Sequence, residues 1–186
     1  MKPLFIAEVK TQSPFGFHSD RCWDDLFELA IEHADIVAIH TDKPWGGCPS
    51  DIARARYYME PNPHKLLLAK GYHHTDDDIR QSLSLGADLV LVVGRIPPPE
   101  LAPVCIWEPA NLNEIVAAKD PAQKIMWNER DLSTGLRRRD ADFTMARWSH
   151  KGWMAQASFI TEPKDVHPKA TAFIVGEHLP TFVEAL

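Results

Sequence analysis

Short apolar runs, many of them rich in β-branched residues, recur along the chain between polar or amphipathic stretches. Eight stand out: Leu4–Val9, Ile36–His40, Lys65–Lys70, Leu89–Val93, Val104–Trp107, Lys124–Trp127, Trp153–Ala157 and Ala172–Val175. Each has strand length, and several intervening segments carry a helical period. After Ser19, the residues Trp23, Phe27, Ala30 and Ala34 fall on one helical face. Thr75 followed by Asp76, Asp77 and Asp78 reads as an N-cap with an acidic first turn. Ile79 and Leu83 supply the apolar face there, and Gly86 stands where the helix would stop. Strand and helix alternating in this way predict an α/β fold with a parallel sheet and crossover helices.

Eight such units make a (β/α)8 barrel the expected architecture, as a single domain over residues 1–186. The barrel must be compact, because each unit receives only about 23 residues, whereas the typical barrel has roughly 250 in all. Shortened helices follow. The link from Arg95 to Val104 holds Pro97, Pro98, Pro99 and Pro103 and has no room for a normal helix, and the link after Ile160 is little better. An open doubly wound sheet is the rival, but no Gly-rich phosphate fingerprint follows the first strand.

Composition narrows the setting. The chain is 45% hydrophobic and 25% charged, ordinary for a globular protein, and its net charge of -6 is spread without a basic stripe. Nucleic acid is therefore not an expected partner. No apolar run reaches membrane-spanning length and the N-terminus lacks a secretory pattern, so no membrane partner and a cytoplasmic location are expected. Cys22, Cys48 and Cys105 form no CxxC pair or even-numbered framework, which suits a reducing compartment. Thin helical cover would expose apolar strand surface, and a homodimer is one way to cover it.

Catalytic groups of such a barrel sit on inward-facing side chains at the C-terminal strand ends. Glu8 and Lys10 share one face of the first strand by alternation. Lys70 closes the third strand on the face of Leu66 and Leu68. Asn128 and Arg130 share a face after the sixth strand, and Arg95 follows the fourth. Lys10, Lys70, Arg95 and Arg130 at one rim would focus positive potential on an anionic small molecule. His73-His74 lacks the spacing of a zinc site and reads as solvated, so no metal is expected. Arg137, Arg138 and Arg139 read as the start of a solvated helix, and Trp107 as an inward void filler near the mouth.

Together these residues resemble the indole-3-glycerol phosphate synthase family. The likeness is carried by Glu8, Lys10, Ser13 and Pro14, by Thr41 to Gly47, and by Lys70 and Gly86-Ala87-Asp88. It continues through Asn128, Arg130, Asp131 and Leu132 to Val175-Gly176-Glu177, in the family's order and over nearly the whole chain. The resemblance implies a cofactor-free lyase of tryptophan biosynthesis. Its reaction closes a ring on a carboxyphenylamino-deoxyribulose phosphate with loss of carbon dioxide and water. Lys70 would be the acid in ring closure, Lys10 would assist hydroxyl departure and hold phosphate, and Glu8 would tune the lysines. Asn128 would bind a substrate hydroxyl, and Arg130 would brace the carboxylates. Ser13, Pro14, Arg95, Ser158, Gly176 and Glu177 would complete the site for a phosphorylated anion.

The chain departs from that pattern in four ways. Cys105 stands where the family keeps a fifth-strand glutamate, and Glu108 could replace it only if the strand register differs by an odd number of residues. Ala157 and Phe159 flank Ser158 where a glutamate and a glycine are usual. The family's helical extension before the first strand is not seen, and several crossovers are cut down. These departures favour an alternative: a derived barrel, catalytically altered or inactive, that binds a phosphorylated anion or a protein partner. A neighbouring isomerase of the same pathway would need a first-strand cysteine where Glu8 or Lys10 stands.

Overall fold

A computed structural model describes residues 2–60, 62, 64–118, 120–138 and 141–186. In it eight parallel strands close into one barrel in sequence order. They are β1 (Leu4–Val9), β2 (Ile36–His40), β3 (Leu66–Lys70), β4 (Leu89–Val93), β5 (Cys105–Glu108), β6 (Lys124–Asn128), β7 (Met154–Ala157) and β8 (Ala172–Val175). The compact (β/α)8 architecture read from the apolar pattern is the one observed.

Alternation sorts the strand residues into two layers. Ile6, Ile36, Ala38, Leu68, Leu91, Ile106, Met126, Ala155 and Ile174 pack inside the barrel, at about 1.5–3 kcal/mol for each large side chain fully buried. The opposite faces of β1 to β4 pack outward on α1 (Trp23–His33), α2 (Ser50–Met59) and α3 (Asp76–Ser84). A separate outer cluster joins β5 and β6 to α4 (Leu112–Ala118) and α5 (Phe143–Ser149), and α6 (Leu179–Glu184) closes the ring beside α1.

The helix signals hold where they were strongest. Thr75 Oγ1 accepts from the Asp78 N–H at 3.2 Å while Asp78 Oδ2 accepts from the Thr75 N–H at 2.8 Å, a reciprocal cap. Gly86 then takes φ +105° against the Arg56 side chain, a conformation and a contact that both exclude a Cβ. Single 3₁₀ turns, Ala102–Val104 and Pro163–Asp165, replace full helices after β4 and β7, as the proline-rich links require.

Two expected orientations are corrected. β5 runs from Cys105 to Glu108, one residue later than its apolar run suggests, and pairs Val90 with Cys105 and Val93 with Glu108. Cys105 is therefore buried in the outer layer with Val90 and Val92, and burial pushes its thiol up to about 11. It has no place in the mouth. Trp107 likewise points outward, beside Ile115 and Phe143, rather than into the barrel. Arg137 and Arg138 lie in no helix, and α5 begins at Phe143. Arg137 lies over the Phe159 ring and Arg138 over Trp127, while Arg139 falls outside the described residues.

Candidate active site at the barrel mouth

Strands β1, β2 and β3 deliver three ionisable groups to one point, Glu8 and His40 buried and Lys70 partly buried. Glu8, His40 and Lys70 occupy successive inward positions, with register pairs Glu8–Ala38 and His40–Lys70 fixing their heights. Glu8 Oε1 accepts from His40 Nε2 at 2.6 Å and from Lys70 Nζ at 3.0 Å. Burial pulls the Glu8 carboxyl up, but the opposing fields of Lys70, His40 and Lys10 prevail and hold it well below 4.5. Burial also disfavours the Lys70 cation, yet Glu8 and Glu108 outweigh it and raise its pKa, so Lys70 is an ammonium. For His40, burial and the adjacent ammonium win, lowering it to about 4. His40 is thus a neutral imidazole, stacked on Trp45 at 5.4 Å, and its buried Nδ1 has no hydrogen-bond partner among the described residues.

The opposite wall, from β5 to β7, is built differently. Glu108 Oε1 accepts from Asn128 Nδ2 at 3.0 Å. Burial dominates here: it raises the Glu108 pKa against the weaker pull of Lys70 and Asn128. Asn128 is itself fixed, its Oδ1 accepting from Ser158 Oγ at 2.6 Å and from the Arg130 N–H at 2.9 Å. Ser158 and Phe159 both hold positive φ, 70° and 55°, which costs non-glycine residues about 1–3 kcal/mol each.

A third group completes the rim. Lys10 Nζ meets Glu177 Oε1 at 2.7 Å, and Arg130 Nη2 meets Glu177 Oε2 at 3.0 Å. Burial raises Glu177, but the two cations outweigh it and lower its pKa. Gly176 sits directly against Glu8, where an added Cβ would lie 2.4 Å from Oε2, so the close approach excludes any side chain.

These side chains line a cavity of about 80 Å³ at the C-terminal strand ends. A second cavity, about 600 Å³, shares Glu108, Asn128, Arg130, Val93 and Leu132 with it and extends under the loop after β6. Among the described residues, no group of three His, Cys, Asp or Glu side chains could hold a metal ion.

Of the residues expected at the site, Glu8, Lys10, Lys70, Asn128, Arg130, Ser158, Gly176 and Glu177 line the mouth, and Cys105, Arg95, Ser13 and Pro14 do not. Arg95 donates to the His73 carbonyl at 3.1 Å and to Asp76 at 2.8 Å, tying two loops together instead of facing a ligand. Ser13 Oγ accepts from the Phe15 N–H at 3.3 Å, and Pro14 is exposed. The rim carries three cations rather than four, each already facing a carboxylate. His73, read as solvated, is buried, with Nδ1 at 2.6 Å from the Leu91 carbonyl and Nε2 at 2.9 Å from Ser82 Oγ. Sequence reasoning passed over His40, although the alternation Ile36, Ala38, His40 carries it inward just as Leu66, Leu68, Lys70 carries Lys70.

Fold and mouth together define a compact (β/α)8 barrel with buried acid–base groups at its C-terminal strand ends. No protein-family model matches the chain. Its fold is similar to that of 3-keto-L-gulonate-6-phosphate decarboxylase from Vibrio cholerae, at TM-score 0.66 and 15% identity over 100% of this chain and 96% of that one. The 3-hexulose-6-phosphate synthase from Salmonella typhimurium gives 0.65 and 15%, over 98% of each chain. The N-acetylmannosamine-6-phosphate 2-epimerase from Clostridium perfringens gives 0.62 and 12%, over 95% of this chain and 87% of that one. These findings correct the resemblance to indole-3-glycerol phosphate synthase, and with it the tryptophan-biosynthesis lyase activity: these three similar barrels are named for sugar 6-phosphates, and a further one, citrate synthase SbnG, gives 0.62 and 15% over 94% of this chain and 86% of that one. Carboxylate and lysine at strand ends are what any barrel mouth needs to bury a working charge, so they do not single out one reaction. Among the described residues no helix is long and apolar enough to cross a membrane.

Proposed function

We propose that this chain is an enzyme that moves a proton next to the carbonyl of a small polyhydroxylated, phosphorylated sugar, as a lyase or isomerase. The observation that carries this reading is the opposite treatment of two buried carboxylates in one mouth. Glu8 is held ionised by Lys70 and His40, while Glu108 is raised by burial. Two carboxylates whose pKa values are pushed apart take separate roles. Glu8 positions Lys70, and Glu108 exchanges the proton.

In this reading Lys70 offers a fixed ammonium to the substrate carbonyl oxygen. When Glu108 takes the proton from the neighbouring carbon, the electron pair moves onto that oxygen and the ammonium stabilises the charge. Asn128, locked by Ser158, orients Glu108. Three of the similar barrels share a sugar 6-phosphate in their names, although citrate synthase SbnG does not, and this supports the ligand class as an analogy of fold.

Incubating the protein with a panel of aldose and ketose phosphates in D₂O tests the reading by proton NMR. Deuterium should enter next to the carbonyl of at least one member, or a cleavage product should appear. Glu108→Gln should slow that reaction by about 10²–10⁴-fold while staying folded. Full activity in Glu108→Gln, or no reaction across the panel, would sink the proposal.

A further inference from the structure

Lys10 and Arg130 stand at the ends of β1 and β6, and both are paired with one side chain, Glu177, on the loop after β8. The arrangement is tightly specified. Each Glu177 oxygen faces a different cation, at 2.7 Å and 3.0 Å, the geometry of an anion held between two donors. Both cations also lie over aromatic rings. Lys10 Nζ lies 5.8 Å from the Phe17 ring centre, and the Arg130 guanidinium lies between Phe15 at 5.5 Å and Phe159 at 5.2 Å. Arg130 is thereby restrained when its carboxylate partner leaves.

Glu177 itself has no such hold. Its recorded side-chain contacts, among the described residues, are those two cations, and it retains 15% exposure at the rim. Without it, Lys10 and Arg130 face no carboxylate within ion-pair distance among the described residues, and Glu8 is engaged by His40 and Lys70. A dianion brings more charge and more acceptor oxygens to the pair than one carboxylate does.

We infer that Lys10 and Arg130 form an anion subsite and that Glu177 is its resident occupant, displaced when a phosphate-bearing substrate enters. This rests on reading the mouth as a substrate site and adds where the substrate's anionic end binds. The carboxylate keeps buried Lys10 and partly buried Arg130 satisfied in the free protein and competes with weak anions. A latch docked nine-tenths of the time would lower apparent affinity about tenfold.

Calorimetric titration with inorganic phosphate reads this directly. Phosphate should bind Glu177→Gln at least tenfold tighter than wild type, and the gain should vanish in Glu177→Gln/Arg130→Met. Equal or weaker binding to Glu177→Gln overturns the inference. Thermal unfolding guards against loss of stability in the variant: phosphate should raise the Tm of Glu177→Gln more than that of wild type, and an equal or smaller rise overturns it too. Neither readout involves turnover. A wrong reaction leaves the phosphate result standing, and a wrong latch leaves Glu108-dependent exchange intact.

Discussion

The Glu8 carboxylate at the end of β1 meets His40 at 2.6 Å and Lys70 at 3.0 Å, whereas the Glu108 carboxylate at the end of β5 meets the uncharged Asn128 amide at 3.0 Å. Both are buried, and both feel Lys70. Contact decides the outcome: a cation within hydrogen-bond distance overrides desolvation at Glu8, while the same cation acting from farther away does not override it at Glu108. Burial alone therefore does not set the charge of a mouth residue. One barrel mouth thus holds a carboxylate kept ionised and one with a raised pKa side by side, distinguished by which of them the same lysine touches.

The contrast makes a large difference in stability between two substitutions. Lys70→Met leaves Glu8 buried without its ammonium and should cost about 3–5 kcal/mol. Glu108→Gln removes a carboxylate whose ionised form is disfavoured and keeps an acceptor for Asn128, so it should be neutral or stabilising at pH 7. Urea unfolding of both variants checks this; a Lys70→Met protein as stable as Glu108→Gln would mean the walls are not different in kind.

Acid should act through the Glu8 wall. His40 binds its proton near 6.5 when unfolded and at about 4 when folded, so between those values the unfolded chain holds more protons and stability falls as pH falls. The shift corresponds to roughly 3 kcal/mol lost across that window. Glu8 acts in the same direction at lower pH, because its folded pKa lies below 4.5. Glu108 acts oppositely: its raised pKa makes it destabilising as pH rises through its ionisation. Unfolding free energies of wild type and His40→Gln at pH 7, 5.5 and 4.5 isolate the first effect. The wild type should show the steeper loss, and parallel slopes would remove His40 from the account.

The fold was legible because strand and helix periods differ and each apolar run was bounded by turn or charge signals. β1, β2, β4 and β8 match their apolar runs residue for residue. Parity then carried Glu8, Lys10, Lys70 and Asn128 to the mouth. It failed at β5, where Val104 extends the apolar run by one residue but belongs to a 3₁₀ turn. That shift turned Cys105 and Trp107 outward and put Glu108 inside, because a one-residue slip exchanges the faces of a strand. Arg95 and Ser13 were out of reach for a different reason. They lie on loops, where alternation carries no information and the nearest backbone carbonyl or N–H decides the partner. The pairing of Glu177 with both Lys10 and Arg130 joins three distant strand ends, and no local pattern encodes it.

The mouth works as proposed only where Glu108 is the carboxylate whose proton is held at higher pH. Carbon-detected NMR of protein labelled at the glutamate side-chain carboxyl, with Glu8→Gln and Glu108→Gln as assignment controls, measures both titrations in one experiment. Glu108 should titrate above its ordinary 4.5, with Glu8 still ionised at pH values where Glu108 is protonated. A Glu108 titration at or below 4.5, or a Glu8 titration above that of Glu108, would contradict it.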